Sequence, residues 1–76
     1  MFFVIVRFPL SGDWESKDEE VWQAAGKKSE SRAAIAEKGM VGLREHIWTA
    51  KDFDCADELK KRLEQVPEIS VSLLEK

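Results

Sequence analysis

The chain has 76 residues and a formal net charge of −3, with four Phe, three Trp, one Cys and one His. That length holds one domain, and a single cysteine allows neither an internal disulfide framework nor metal-ligand spacing. Mixed charges, with Lys27-Lys28 and Lys60-Lys61-Arg62 as the densest basic stretches, argue against a nucleic-acid partner, and no apolar run approaches the roughly 20 residues of a membrane span.

In chain order, Phe2 to Phe8 is β-branched and aromatic apart from Arg7, and Pro9 closes it, which predicts a strand. This apolar start is too short for a secretory core and lacks a basic leader, so a reducing cytoplasmic setting is expected. Ser11-Gly12-Asp13 reads as a loop. Ser16, three residues before Glu19, makes a capping-box start for a helix. Trp22, Ala25, Ser29, Ala33, Ala36 and Met40 then recur at helical steps, with Gly39 as the stop. Gly26 within that pattern costs about 1 kcal/mol against Ala and leaves room for a break near Lys27 to Ser31.

Val41 to Thr49 reads as the next strand, and a short hairpin between Met40 and Phe53 would add a fourth. Asp52 or Asp54 can cap a second helix, Cys55 to Gln65, whose Ala56, Leu59, Leu63 and Val66 keep helical spacing. After Pro67, Ile69, Val71 and Leu73 alternate with Ser70, Ser72 and Leu74 in a closing strand. The expected order is β-α-β-α-β in one domain over residues 1–76. Its class is α+β, a two-layer sandwich with helices on one face of a small sheet.

Side chains alternate across a sheet. If Phe2, Val4, Val6 and Phe8 face the helices, then Phe3, Ile5 and Arg7 face away. The same logic, with Leu43 and Ile47 turned inward, puts Arg44, His46 and Trp48 on the helix-free face, with Ser70, Ser72 and Leu74 beside them. Such a face joins apolar walls to convergent polar groups. It suits a ligand cleft, or a symmetric homodimer packed sheet on sheet. The candidate site follows from it. Arg7 and Arg44 bind a carboxylate, Trp48 and Phe3 line the wall, and His46 moves a proton as the catalytic group. Cys55 reads as a packing residue. No phosphate loop, nucleophile elbow or paired-histidine motif is present, and no cofactor is expected.

Several segments also resemble muconolactone isomerase-like proteins. Met1-Phe2-Phe3-Val4-Ile5-Val6 with the following Pro9 is similar to the first strand of that family. Ser31-Arg32-Ala33-Ala34 through Glu37-Lys38-Gly39 is similar to the end of its first helix. Ile47-Trp48-Thr49-Ala50-Lys51-Asp52, Ala56-Asp57-Glu58-Leu59, Leu63, Val66-Pro67 and Ser70 to Leu74 follow its later strand, helix and closing strand. The resemblance implies a ferredoxin-like domain, shortened between the first helix and the later strand, that forms dimeric α+β barrels. The leading expectation is a small-molecule binding or isomerase-like homodimer acting on an apolar, carboxylate-bearing compound. A non-catalytic protein-interaction or assembly module is the alternative. The two differ in whether the outer sheet face carries a cavity of a few hundred Å³ or is packed solid.

Overall fold

The computed structural model describes residues 1–10, 12–34 and 42–76, with 32–34 as backbone. Its elements are β1 (Phe2–Pro9), α1 (Trp14–Ala25), β2 (Glu30–Ala34), β3 (Leu43–Ala50), α2 (Phe53–Leu63) and β4 (Ser70–Glu75). The four strands form one sheet in the order β2-β3-β1-β4, with every neighbouring pair antiparallel. Both helices pack on one side of it. The class is α+β, and the β-α-β-β-α-β order is compatible with a ferredoxin-like sandwich.

The first helix is shorter than its apolar spacing predicts. Gly26 adopts φ +79°, and its N–H donates to the carbonyls of Trp22 (2.9 Å) and Gln23 (3.2 Å). A residue without Cβ takes this left-handed conformation at little cost, so Gly26 ends the helix where the sequence reading carried it through. Ser29 and Ala33 therefore do not continue a helical face. Glu30–Ala34 is the edge strand β2, paired with β3 from Glu30↔Ile47 to Ala34↔Leu43. The fourth strand thus lies before residue 35, while the described residues from Gly42 to Phe53 hold one unbroken strand and no hairpin. The expected helical positions Ala36, Met40 and Gly39 lie outside the described residues.

The start of α1 also differs. Asp13 occupies the N-cap without a side-chain hydrogen bond, so the Ser16–Glu19 pair falls inside the helix and is not its cap. The second helix takes Asp52, one of the two expected caps, whose carboxylate accepts the Cys55 backbone N–H at 2.8 Å, and it spans Phe53–Leu63, starting and ending two residues earlier than its spacing predicts.

Val4, Val6 and Phe8 of β1 meet Val21 and Ala25 of α1, and Ala56, Leu59 and Leu63 of α2. Val4, Val6, Val21, Ala56 and Leu63 are fully buried. Each Val or Leu among them contributes about 1.5–3 kcal/mol through burial. Phe2, Ile69, Val71 and Leu73 flank this core, as the alternation in the first and last strands predicts. The chain ends meet: the Lys76 N–H donates to the Met1 carbonyl at 2.9 Å, which extends the β1–β4 ladder.

Candidate functional site

Directly paired residues of an antiparallel sheet share a face. Trp48 pairs with Val4, His46 with Val6 and Arg44 with Phe8, so all three lie beneath the helices. Phe3, Ile5 and Arg7 pair with Thr49, Ile47 and Glu45 on the opposite, helix-free side. In β3 the inward and outward rows are therefore the reverse of those expected from its sequence. The five expected site residues are accordingly split by the sheet. Arg44, His46 and Trp48 lie on one side, Arg7 and Phe3 on the other. Arg7 is engaged with its cross-strand neighbour, its Nε 2.6 Å from Glu45 Oε2.

The physical reason for the exchange is a carboxylate. Asp18 occupies the buried stripe of α1, three residues before Val21 and seven before Ala25. Its Oδ1 accepts from Arg44 Nε at 3.1 Å and lies 2.6 Å from His46 Nε2, while Oδ2 is 3.0 Å from a terminal Arg44 nitrogen. The same guanidinium reaches Ser31 Oγ at 3.1 Å and lies over the Trp14 ring. On its other nitrogen, Nδ1, His46 meets Ser29 Oγ at 2.6 Å, and the Trp22 indole N–H donates to that oxygen at 3.0 Å. The Trp48 indole N–H donates to the Lys27 carbonyl at 3.2 Å. Burying an arginine and a histidine is costly unless each is paired, and here the pairing comes from α1 and from the segment before β2. No buried side-chain polar atom among the described residues lacks a partner.

His46 is fully buried, between the rings of Phe8 and Trp48 with Trp22 edge-on. Burial pushes its pKa below the ordinary value. The hydrogen bond and charge of Asp18 oppose that shift, and Arg44 adds to it. A neutral ring with an ionised Asp18 carries its proton on Nε2, since a carboxylate can only accept. Nδ1 then presents a lone pair to the Ser29 hydroxyl.

The open side of the sheet carries a groove of about 420 Å³. Phe3, Ile5, Ile47 and Leu74 give it an apolar floor, and Lys27, Lys28, Lys76 and the acidic Glu30 stand around it, with the Lys28 ammonium 5.4 Å from the centre of the Trp22 ring. Lys76 Nζ lies 5.8 Å from the centre of the Phe3 ring. Ser29 and Trp48 also border this groove, where the chain passes from α1 into β2. Phe3 is thus the one expected wall residue that lines the groove from the open side, and Trp48 borders it from the other. The expected arginines do not border it. Among the described residues no group of His, Cys, Asp and Glu could hold a metal, and no helix is long and apolar enough to cross a membrane.

Cys55 is exposed and does not pack in the core as expected. Its side-chain hydrogen bond with Asp52, followed by the Asp52 charge, pushes the thiol pKa up. The Asp52 carboxyl is held below its usual range, chiefly by the Cys55 backbone N–H. A thiol raised in this way is a poor nucleophile near neutrality.

Asp18, Ser29 and the three groove lysines were not among the expected site residues. Asp18 left a legible signal, because it shares an apolar helical stripe with Val21 and Ala25. The Lys76 position left none, since only strand pairing brings the C-terminal residue beside Phe3. Comparisons of the chain with protein-family models, curated proteins and solved structures give no match.

Proposed function

We propose that this chain binds an apolar, carboxylate-bearing small molecule in the groove on the open face of its sheet. The single observation that carries this reading is the groove itself, with an apolar floor of Phe3, Ile5, Ile47 and Leu74 beside Lys27, Lys28 and Lys76. Its volume of about 420 Å³ lies within the range of small-molecule sites. The floor takes an alkyl or aryl body, and the ammonium groups take the carboxylate. Lysines thereby fill the role that the sequence assigned to Arg7 and Arg44.

The groove is open to one side, where a second copy related by a two-fold axis would cover it and bury the exposed Leu74. A ferredoxin-like homodimer of this kind is what the resemblance to muconolactone isomerase-like proteins implies. One exposed, weakly reactive cysteine also fits a reducing cytoplasmic compartment.

Isothermal titration calorimetry with octanoate and with octanol tests this reading. Octanoate binds saturably, octanol binds more weakly, and Ile47→Glu abolishes both. If octanoate gave no saturable heat, the groove would not be a ligand site, and the same face would be left as a protein-interaction module. Equal affinity for the acid and the alcohol would remove the lysines from recognition.

A further inference from the structure

The outer side of β4 is an open hydrogen-bonding edge. The Met1 ammonium donates to the Lys76 carbonyl at 3.1 Å, and the Lys76 N–H donates to the Met1 carbonyl at 2.9 Å, so this pair exchanges both backbone bonds. In an antiparallel ladder such pairs alternate with pairs that exchange none. Leu74, Ser72 and Ser70, opposite Phe3, Ile5 and Arg7, therefore turn their backbone groups toward β1. Val71, Leu73 and Glu75 turn theirs away from the sheet, and among the described residues no strand lies beyond β4.

Edge strands are ordinarily blunted by lysine, proline or a bulge. The six residues of β4 hold no Lys or Pro, and its register against β1 runs unbroken from Arg7↔Ser70 to Phe2↔Glu75. The other edge of the sheet differs, since β2 carries Glu30 and Arg32. We infer that β4 is the homodimer contact: two copies pair β4 to β4, antiparallel about a two-fold axis through Ser72. The inference goes beyond the groove reading, since it needs no ligand, and it fixes the edge that a second copy joins.

Three features favour a second copy in this register. First, the backbone groups match. With Ser72 opposite its own counterpart, Val71 faces the partner's Leu73, and the outward N–H and C=O groups of both meet in hydrogen-bonded pairs. Directly opposed residues share a face, so these two side chains, which already pack against the core, continue it across the axis. Second, the charges match. Lys76 falls opposite the partner's Glu68, and the symmetry repeats that contact at the other end. Third, exposed apolar side chains flank the strand. Phe53 is 49% exposed and packs edge-on against Phe2, which pairs with Glu75. The register sets the partner's Ile69 opposite Glu75 and so gives that ring an apolar neighbour. On the open side, the exposed Leu74 meets the partner's Ser70.

The test is disulfide trapping in a Cys55→Ser background, which removes the one native thiol. Across the axis Ser72 and its counterpart form a non-hydrogen-bonded pair with Cα atoms about 4.5 Å apart, within disulfide reach. Ser72→Cys should give a covalent dimer under mild oxidation on a non-reducing gel, whereas Ser70→Cys, which opposes Leu74, should run as a monomer. Hydrogen exchange read by NMR covers the unsubstituted chain: the outward Val71 and Leu73 amides should be protected at concentrations where light scattering gives a dimer. A dimer in which Ser72→Cys cross-links no faster than Ser70→Cys, or in which those two amides exchange as fast as loop amides, would overturn the β4 pairing and leave a homodimer through another surface. A monomer at all concentrations would remove both. Octanoate calorimetry on the Ser72→Cys variant reports separately on the groove.

Discussion

Replacing Asp18 by Ala should be among the most destabilising single changes in this chain. The carboxylate is nearly buried, with 7% of its side chain exposed, and its partners Arg44 and His46 are 16% and 0% exposed. Removing one member of a buried pair leaves the other charge uncompensated, at a cost of about 3–5 kcal/mol. The lower end applies, because Arg44 keeps Ser31 Oγ and the Trp14 ring. A chain of 76 residues has a total stability of about 4–11 kcal/mol at the usual value per residue. A loss of about 3 kcal/mol therefore removes a large share of it. With a urea slope of about 1 kcal/mol/M, the unfolding midpoint falls by about 3 M. Adding Arg44→Met to Asp18→Ala should recover part of the loss, with a coupling of about 1–3 kcal/mol in the double-mutant cycle. A loss below about 0.5 kcal/mol for Asp18→Ala, the range of ordinary surface changes, would refute the role given to this carboxylate.

Other outcomes follow from individual residues. Gly26→Ala should cost about 1–2 kcal/mol in urea unfolding from the positive φ alone, since the added Cβ meets nothing closer than an Arg62 nitrogen at 3.9 Å; an unchanged midpoint would contradict the cap. His46 has a folded-state pKa below its unfolded value of about 6.5, so in that window the unfolded chain binds the extra proton. Its contribution to stability is complete above about pH 6.5 and is lost as the pH falls toward the folded pKa. The urea midpoint should drop between about pH 7.5 and 5.5, and a flat or rising profile would show that the ring is not buried neutral. Alkylation of Cys55 by iodoacetamide at neutral pH should be slower than that of free cysteine and should speed up in Asp52→Asn, which keeps the cap acceptor but removes the charge; equal rates in the two proteins would count against the Asp52–thiol contact. Light scattering should give the mass of a dimer that Leu74→Lys converts to a monomer, whereas a wild-type monomer at all concentrations would leave the open face uncovered.

Much of the scaffold can be read from local rules. The run Phe2 to Phe8, the Asp52 cap and the alternation after Pro67 each act through neighbours in sequence, and each appears in the fold. The two largest departures share a cause: a local pattern outweighed by partners far along the chain. Small residues at helical steps from Trp22 to Ala33 look continuous, but the left-handed Gly26 stops the helix and β3 recruits the next residues as an edge strand. In β3, Leu43 and Ile47 are the more apolar row by composition. The row of Arg44, His46 and Trp48 is buried instead, because Asp18, Ser29 and the Lys27 carbonyl satisfy its polar atoms. Those partners lie 17 to 28 residues away from His46 or Arg44, or 21 from Trp48, so strand composition alone does not reveal them. Of the candidate site, only its walls were legible: Phe3 lines the groove and Trp48 borders it, whereas Arg7 and Arg44 do not.

The most direct measurement is an amide NMR titration of the chain with octanoate. The groove account predicts saturable shifts at Phe3, Ile5, Lys28, Ile47 and Leu74, with little change along the outer surface of α2. Shifts confined to the helices, or none at these five amides at millimolar octanoate, would contradict it.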